Sequence, residues 1–557
     1  MSKKEDIRYY LLVIITGILS SIVSIGLYLV YTELWRLTEN ALAYSNLLFI
    51  PIAFAAIGLS YLLVKRFAHS KTTGSGTHTV LEAYHLTNGE VNFRDTIVKP
   101  LAGMLTIGLG GSAGPEGPSL LAGGGIASEL ARRLKVKPNL YRRLFIAGAT
   151  AGLAATFRTP LTAILFALEI PYKNDLDRET FIEATIASIP AYLISITVLG
   201  SEPLFGTIGN IPLTFEVIAL SLLLGLICGL YSVFFTKTFS WMEAVVVKLK
   251  KRLGNNLVAV LGSVTLAISG LLSVYSIGVG LHFVSALISG ASFSIAVLSG
   301  IILLKTFVTA TTLKFGGSGG LFFPTIVIGA GLGYIFSLIF NVNLAVMFIA
   351  VGMASLLAGT HKVLLTSVAF IVETLGGVFA IPALLASGVS YLLSGKHSFY
   401  PVQPQTRLKT EELALERFFE KGKKLIPQKL EQTLATEFMT KNPIVLHKGL
   451  TVKDALVTFE RTKLRAIPLV DDENHVIGVV NLENVGYIDV RRKDSLLSES
   501  VMAPPVLVKE SNTLEEIADL MMDTQEDHIF VTDEKEKIIG VISGIDVVKK
   551  IVELLSA

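Results

Sequence analysis

Glu116 is a lone carboxylate among apolar residues, set between Pro115 and Gly117 in Gly-Ser-Ala-Gly-Pro-Glu-Gly-Pro at 111–118. The stretch Gly-Ser-Gly-Gly-Leu-Phe-Phe-Pro at 317–324 repeats its Gly-Ser-x-Gly-x-x-x-Pro frame, with Phe322 in register with Glu116. A third loop, Gly-Ser-Gly-Thr-His at 74–78, sets the hydroxyl of Ser75 between two glycines. Glycine permits the bends, and Pro118 and Pro324 suit an early helical turn. Each of these two prolines therefore opens a helix. A helix N-terminus carries unpaired amide donors and about half a positive charge, enough to hold an anion without a formal cation. A lysine or arginine at a bilayer midplane costs about 3 kcal/mol or more and would hold the anion too tightly for passage. A carboxylate at such a helix end can take the anion's place and leave when protonated, which makes Glu116 a gate or a proton carrier. Glycine-rich segments also serve close helix packing; three loops and a matched repeat favour anion binding.

The elements that must position these loops come in two copies. Residues 155–169 end Leu-Thr-Ala-Ile-Leu-Phe-Ala-Leu-Glu, and 358–373 end Leu-Thr-Ser-Val-Ala-Phe-Ile-Val-Glu, so Glu169 matches Glu373 and Arg158 matches Lys362. Paired halves with interrupted hydrophobic segments mark a membrane transport fold. Composition agrees: the 557 residues are 51% hydrophobic and 17% charged, with a mean hydropathy of +0.61. Residues 253–304 contain no Asp, Glu, Lys or Arg. A span takes about 20 apolar residues, and 10–30, 47–64, 217–235 and 257–275 qualify or come close. The first run is too long for a signal-peptide core and reads as a retained helix. Lys3, Lys4 and Arg8 before it predict a cytoplasmic N-terminus. The single Cys228 excludes an internal disulfide and reads as packing. The net charge of +3 gives no sign of nucleic-acid binding.

Beyond Thr410 charged residues recur every few positions. A polar helical connector is expected at 406–432, followed by a soluble α/β region that is itself repeated. Thr451-Val452 through Gly478-Val479 recurs as Thr513-Leu514 through Gly540-Val541. Each copy predicts a helix, a strand (466–470; 528–532), an acidic turn, a second strand (476–480; 537–542) and a final helix. Two copies would make one pseudo-symmetric domain.

In these residues the chain resembles the CLC family of chloride channels and chloride/proton exchangers. Its signatures Gly-Ser-Gly-Ile-Pro, Gly-Arg/Lys-Glu-Gly-Pro and Gly-x-Phe-x-Pro correspond to Gly-Ser-Gly-Thr-His at Gly74, Gly-Pro-Glu-Gly-Pro at Gly114 and Gly-Leu-Phe-Phe-Pro at Gly320. A Tyr in a Ser-x-Tyr-x-x-Gln context appears as Ser398 to Gln403. The resemblance covers the membrane part in order. It implies a polytopic α-helical CLC fold of two inverted-topology repeats with broken helices, spanning 1–404, with halves at about 40–200 and 210–404. It also implies that Ser75 and Tyr400 are hydroxyl donors to chloride, that Gly320, Leu321 and Phe322 are amide donors, and that Glu116 is the gate. A homodimer with one pore per subunit in the plasma membrane follows from the same resemblance.

Some positions depart from the pattern. Thr77 and His78 stand for Ile-Pro, Pro115 replaces the usual basic residue, and Leu364 matches Pro160 across the repeat. Exchangers of the family usually carry a second glutamate after the position of Glu169; here Ile170 stands there and cannot relay a proton. The primary expectation is therefore a voltage- or pH-gated chloride channel, and the alternative is a chloride/proton antiporter on the same scaffold. Glu169 and Glu373 are expected to bond nearby backbone. Lys305 and Lys314 are expected either to draw anions to a pore entrance or to snorkel, Arg158 and Lys362 to face helix ends or headgroups, and His78 to pack or to titrate in a vestibule.

The tail resembles a cytoplasmic α/β pair of CBS domains, at 434–490 and 491–557 after a linker at 405–433. It implies an adenine nucleotide (ATP, ADP or AMP) as ligand. The ribose pattern Gly-h-x-Ser/Thr-x-x-Asp appears at 540–546 with Ser543 and Asp546, and backbone near 443–445 and 505–507, with Pro505 and Val506, would flank the base. The first copy has Asn481 and Asn484 at these places. A purely structural dimerisation module is the competing expectation. No nucleophile, His-rich or paired-carboxylate motif lies in the apolar part, which argues against an enzyme. The loops offer donors rather than the inward carboxylates that a magnesium transporter needs.

Overall fold

The computed structural model describes residues 3–206, 213–340, 342, 344–406, 410–482, 485, 496–497, 502–503, 505–524 and 526–556. These form two compact units, Met1–Arg407 and Leu408–Ala557.

The first unit is helical. Its first half runs α1 (Lys3–Tyr44), α2 (Phe49–Phe67), strand β1 (Gly74–Ser75), α3 (Gly76–Leu86), α4 (Phe93–Gly108), α5 (Glu116–Arg133), α6 (Pro138–Phe157), α7 (Pro160–Glu169) and α8 (Phe181–Leu199). Its second half runs α9 (Phe215–Leu272), α10 (Leu281–Ile288), α11 (Ile295–Lys314), strand β2 (Ser318–Gly319), α12 (Phe322–Ile339), α13 (Ala345–His361), α14 (Leu364–Thr374) and α15 (Ala380–Leu393). The 58 residues of α9 would reach about 87 Å as one straight rod, far beyond a bilayer. Gly254 breaks it: its φ of 77° lies in the left-handed region that glycine tolerates.

Six helices among the described residues are long and apolar enough to cross a membrane. Leu11, Ile15, Leu62, Ile182, Leu193 and Leu230 point outward on them. Such a surface would aggregate in water and is what lipid requires.

The halves pack alike. Helix α1 lies on α6 and α8, and α9 lies on α13 and α15. Within the first half α5 pairs closely with α6, and within the second α12 with α13. Small residues set both distances: a Cβ on Gly123 would stand 2.1 Å from the carbonyl oxygen of Gly148, and one on Gly329 2.4 Å from that of Gly352. Cys228 is buried, as expected of a packing residue, with its sulfur 3.9 Å from the carbonyl of Gly352.

The second unit carries the two expected α/β copies. Strands β5 (Ala466–Val470) and β9 (His528–Thr532) match their predicted ranges, while β6 (Val476–Asn481) and β10 (Ile538–Ser543) differ by a residue. The other strands among its described residues are β3 (Thr440–Lys441), β4 (Leu446–His447), β7 (Met502–Ala503) and β8 (Leu507–Lys509). The sheets run β3-β10-β9-β8 and β4-β5-β6-β7. Each copy thus lends its first strand to the other's sheet, which ties the two together. The connector helix Thr410–Leu425 puts Leu415 and Phe419 into the same core as Ile542 and Ile551.

Candidate functional site

Three broken ends meet inside the first unit. Strands β1 and β2 pair in parallel, Gly74 with Ser318 and Ser75 with Gly319. The Gly114 N–H donates to the carbonyl of Gly320 at 3.0 Å. The backbones touch: a Cβ on Gly76 would lie 2.3 Å from the Gly117 oxygen, and one on Gly117 2.7 Å from the Gly319 oxygen. The N-termini of α3, α5 and α12 therefore gather at one place, each with amides its own helix cannot satisfy.

Glu116 fills the centre. It is 1% exposed. Its Oε1 accepts the Phe322 N–H at 2.6 Å, at the start of α12. Its Oε2 is buried with no partner. Hypothetical Cβ atoms on Gly320 and Gly114 would lie 1.9 and 2.0 Å from the carboxylate. The two glycines are the cradle that lets an anionic group reach this helix end.

Ser75 caps α3, its Oγ accepting the His78 N–H at 3.5 Å. His78 in turn lies against Tyr400, ring centres 6.3 Å apart. Tyr400 is 1% exposed and is held by its own segment: its N–H donates to Ser398 Oγ at 3.2 Å, and Ser398 Oγ donates to Gln403 Oε1 at 2.7 Å. Gln403 Nε2 donates to the carbonyl of Ile170 at 2.7 Å. Thus Glu116, Gly320, Leu321 and Phe322 form one locus. Ser75 adjoins it through the β1–β2 pairing, and Tyr400 through His78.

Ser75 and His78 also line a cavity of about 730 Å³. Lys65, Lys71, Lys250 and Lys314 border it, against Glu82 and Glu243. The surplus of positive charge raises the local concentration of anions. Lys314 lies in this wall, bonded to Glu243 at 3.0 Å. Lys305 neither faces an entrance nor snorkels. It is 1% exposed, and its Nζ donates to Ser112 Oγ and to the carbonyls of Ser276 and Gly278 at 3.2–3.4 Å. These groups satisfy the ammonium where water cannot reach.

The matched glutamates cross between halves. Glu169 accepts from Leu365 N, Thr366 N and Thr366 Oγ1 at 2.8, 2.7 and 2.6 Å. Glu373 accepts from Leu161 N, Thr162 N and Thr162 Oγ1 at 2.9, 2.8 and 2.6 Å. Each carboxylate closes the N-terminus of the other half's helix, α14 or α7. The backbone they bond is near in space but some 200 positions away in sequence, 196 for Glu169 to Leu365. Arg158 and Lys362 both take left-handed conformations at the ends of α6 and α13. Arg158 donates to the carbonyls of Leu199 and Gly200, and Lys362 to that of Tyr391 and to Ser394 Oγ. Both therefore face helix ends.

In the second unit Ser543 pairs with His528, and Phe530 N–H donates to Val506 O. Pro505, Val506, Ser543 and Asp546 thus lie at one end of the β8-β9-β10 sheet. Asp546 Oδ2 accepts from Ser543 N and Oγ at 2.9 and 2.7 Å, capping the helix Gly544–Ser556. In the first copy Asn481 ends β6; Asn484 lies outside the described residues.

One group near the centre was not singled out by motif. His361 is buried among Phe322, Phe399 and Tyr400. Its position after Thr360 in the repeated segment, where the first half has Phe157, was the available signal.

Residues 57–395 match the family described as voltage gated chloride channel, and 435–485 and 498–553 match the CBS domain. An uncharacterized protein of Methanocaldococcus jannaschii is 28% identical over 349 residues, 63% of this chain and 85% of that one. The H(+)/Cl(-) exchange transporter ClcA of Vibrio vulnificus is 27% identical over 359 residues, 62% of this chain and 75% of its own. A slow cyanobacterial Cl-/H+ antiporter has a similar fold, with a TM-score of 0.61 at 21% identity over 70% of this chain and 94% of that one. A eukaryotic CLC transporter does so at 0.60 and 16% over 97% of this chain and 98% of that one. With its glycine-framed loops, repeated helices and C-terminal pair accounted for together, this chain is an integral membrane protein of the CLC family of anion transport proteins, carrying a CBS domain pair.

Proposed function

We propose that this protein exchanges chloride for protons across the membrane, with Glu116 as the gate that both substrates must move. One observation carries the proposal: the Glu116 carboxylate sits on the Phe322 amide, at 2.6 Å, where a halide would find its helix N-terminus. An anion competes with the carboxylate for that donor, and a proton on the carboxylate removes the competitor. The amides of Gly320, Leu321 and Phe322 and the hydroxyls of Ser75 and Tyr400 are the proposed chloride donors. The channel expectation rested on Ile170 alone. The relatives named as H(+)/Cl(-) exchangers support exchange instead.

The CLC resemblance supports a homodimer in the plasma membrane, with the N-terminus and tail in the cytoplasm. The domain limits proposed are 1–404 for the transport unit and 434–490 and 491–557 for the CBS copies. The ligand proposed for the sheet end that holds Pro505, Val506, Ser543 and Asp546 is an adenine nucleotide. Helix capping uses Oδ2 of Asp546, so Oδ1 is the acceptor for a ribose diol. Such a ligand acts on transport only by favouring one conformation over another.

The test is the reversal potential of the reconstituted protein at fixed chloride with a pH gradient imposed. Exchange predicts a shift with the gradient; a potential that follows chloride alone contradicts it.

A further inference from the structure

Helix α13 ends in Thr360 and His361 beside the start of α12. The His361 ring is fully buried, with ring centres 6.2 Å from Phe322, 5.3 Å from Phe399 and 5.6 Å from Tyr400. The Thr360 hydroxyl has one hydrogen, which it donates to the Leu356 carbonyl at 2.8 Å. Its oxygen must therefore accept the Nδ1–H of His361, 2.9 Å away. That fixes the neutral tautomer, with a bare lone pair on Nε2. Nε2 is buried and has no partner. An unpaired acceptor in an apolar pocket is costly, and packing does not demand it. The matching residue of the first half is Phe157, whose ring lies 5.8 Å from the same Phe322.

The surrounding charged and polar groups are committed elsewhere and leave this lone pair unpaired. Phe322, on α12, is the residue whose amide holds Glu116. Tyr400 and Gln403 approach from the last segment of the unit, and Gln403 Nε2 donates to both the His361 and Ile170 carbonyls. Lys362 is committed to Tyr391 O and Ser394 Oγ. On α14, Glu373 is bound to Leu161 and Thr162. Glu169 is bound to Leu365 and Thr366. On α9, Cys228 faces Gly352 O, and on α15 the Tyr391 hydroxyl lies between Lys173 O and Asn174 Oδ1, which share its single hydrogen.

We propose that His361 is a proton-relay residue of the transport cycle. This rests on the exchange reading above and gives the proton a second carrier between Glu116 and water, which Ile170 does not supply. The protonated Glu116 leaves the α12 N-terminus and gives its carboxyl proton, through the Tyr400 hydroxyl or a water, to the Nε2 lone pair. The imidazolium then releases that same proton from Nε2 to water, while the Nδ1–H bond to Thr360 stays intact. No net bond is made or lost, and the cycle runs equally in reverse. A halide on the Phe322 amide offsets the imidazolium charge, so both substrates act at one place.

The experiment measures chloride and proton flux together in liposomes for wild type, His361→Phe and His361→Gln. Phenylalanine is the residue that the matching half already accommodates. The relay predicts that proton flux falls roughly tenfold or more and chloride flux much less, so that the ratio of chloride to protons rises in both variants. An unchanged ratio in either variant overturns the relay, as does loss of folded protein in both, which would make the ring structural. Absence of proton movement in wild type overturns exchange itself and the relay with it, an outcome read before any variant is made.

Discussion

Glu169→Ala tests the cross-capping on which the two halves depend. Glu169 accepts three hydrogen bonds at 2.6–2.8 Å from Leu365 and Thr366 and is 5% exposed. Alanine leaves two helix-start amides and one hydroxyl facing apolar surroundings. Each unsatisfied buried donor costs about 1–3 kcal/mol; the Thr366 hydroxyl can turn to another acceptor, so the two amides carry the loss, about 4 kcal/mol. Glutamine keeps one acceptor oxygen and should lose about half of that, about 2 kcal/mol. Glu373 makes the same three bonds to Leu161 and Thr162 but is only partly buried. Water can replace part of its cap, and Glu373→Ala should cost about 1–2 kcal/mol, as for an ordinary N-cap. Thermal unfolding of the purified protein in one detergent ranks the variants. The expected order of midpoints is wild type, then Glu373→Ala, then Glu169→Ala lowest. A Glu169→Ala protein that melts with wild type would show that the cap holds nothing, and equal losses in the two alanine variants would show that burial does not set its strength.

Gly320→Ala puts a Cβ 1.9 Å from Glu116 Oε1, so the carboxylate must leave the α12 amide. Transport in liposomes should lose its pH dependence, and a normal pH profile would count against the seat described. In the tail, Asp454 is held below the usual carboxylate range by the Thr451 amide, Asp471 by the His475 amide, and Glu516 by the Asn512 side chain. Groups lowered in the folded state stabilise it above their unfolded pKa and lose that contribution as the pH falls. Protection from hydrogen exchange at the helix starts Val452 and Leu514, taken relative to the intrinsic exchange rate at each pH, should therefore fall between about pH 5 and about pH 3; unchanged protection would contradict it. Asp546→Ala removes both the cap on Ser543 and the proposed diol acceptor. Labelled ATP should bind at least roughly tenfold more weakly, the loss of one charge-assisted bond; unchanged binding would place the nucleotide elsewhere or show that the tail holds none.

The sequence displays the glycine frames and the lone Glu116 because backbone bends and a buried carboxylate demand particular residue types. The strands of the tail were legible for a similar reason: Ala466–Val470 and His528–Thr532 are apolar runs with acidic turns after them. What it cannot display is the partner of a group that reaches across the repeat. Glu169 ends its helix in plain view, but Thr366 becomes its donor only when α7 and α14 pack together. Lys305 looks like an entrance charge until the fold brings Ser112, Ser276 and Gly278 around it. His361 lies in no motif, and only the meeting of α12, α13 and the 399–403 segment gives its ring neighbours. The exchange of first strands between the tail copies depends likewise on contacts between β3 and β10 and between β6 and β7.

In the proposed cycle the carboxylate on the Phe322 amide is exchanged for chloride and carries a proton when it leaves. The direct measurement is proton movement into or out of sealed liposomes driven only by a chloride gradient, for wild type and Glu116→Gln. Wild type should move protons uphill, and the variant should move none. Chloride passage without proton movement in wild type, or equal proton movement in both, would contradict it.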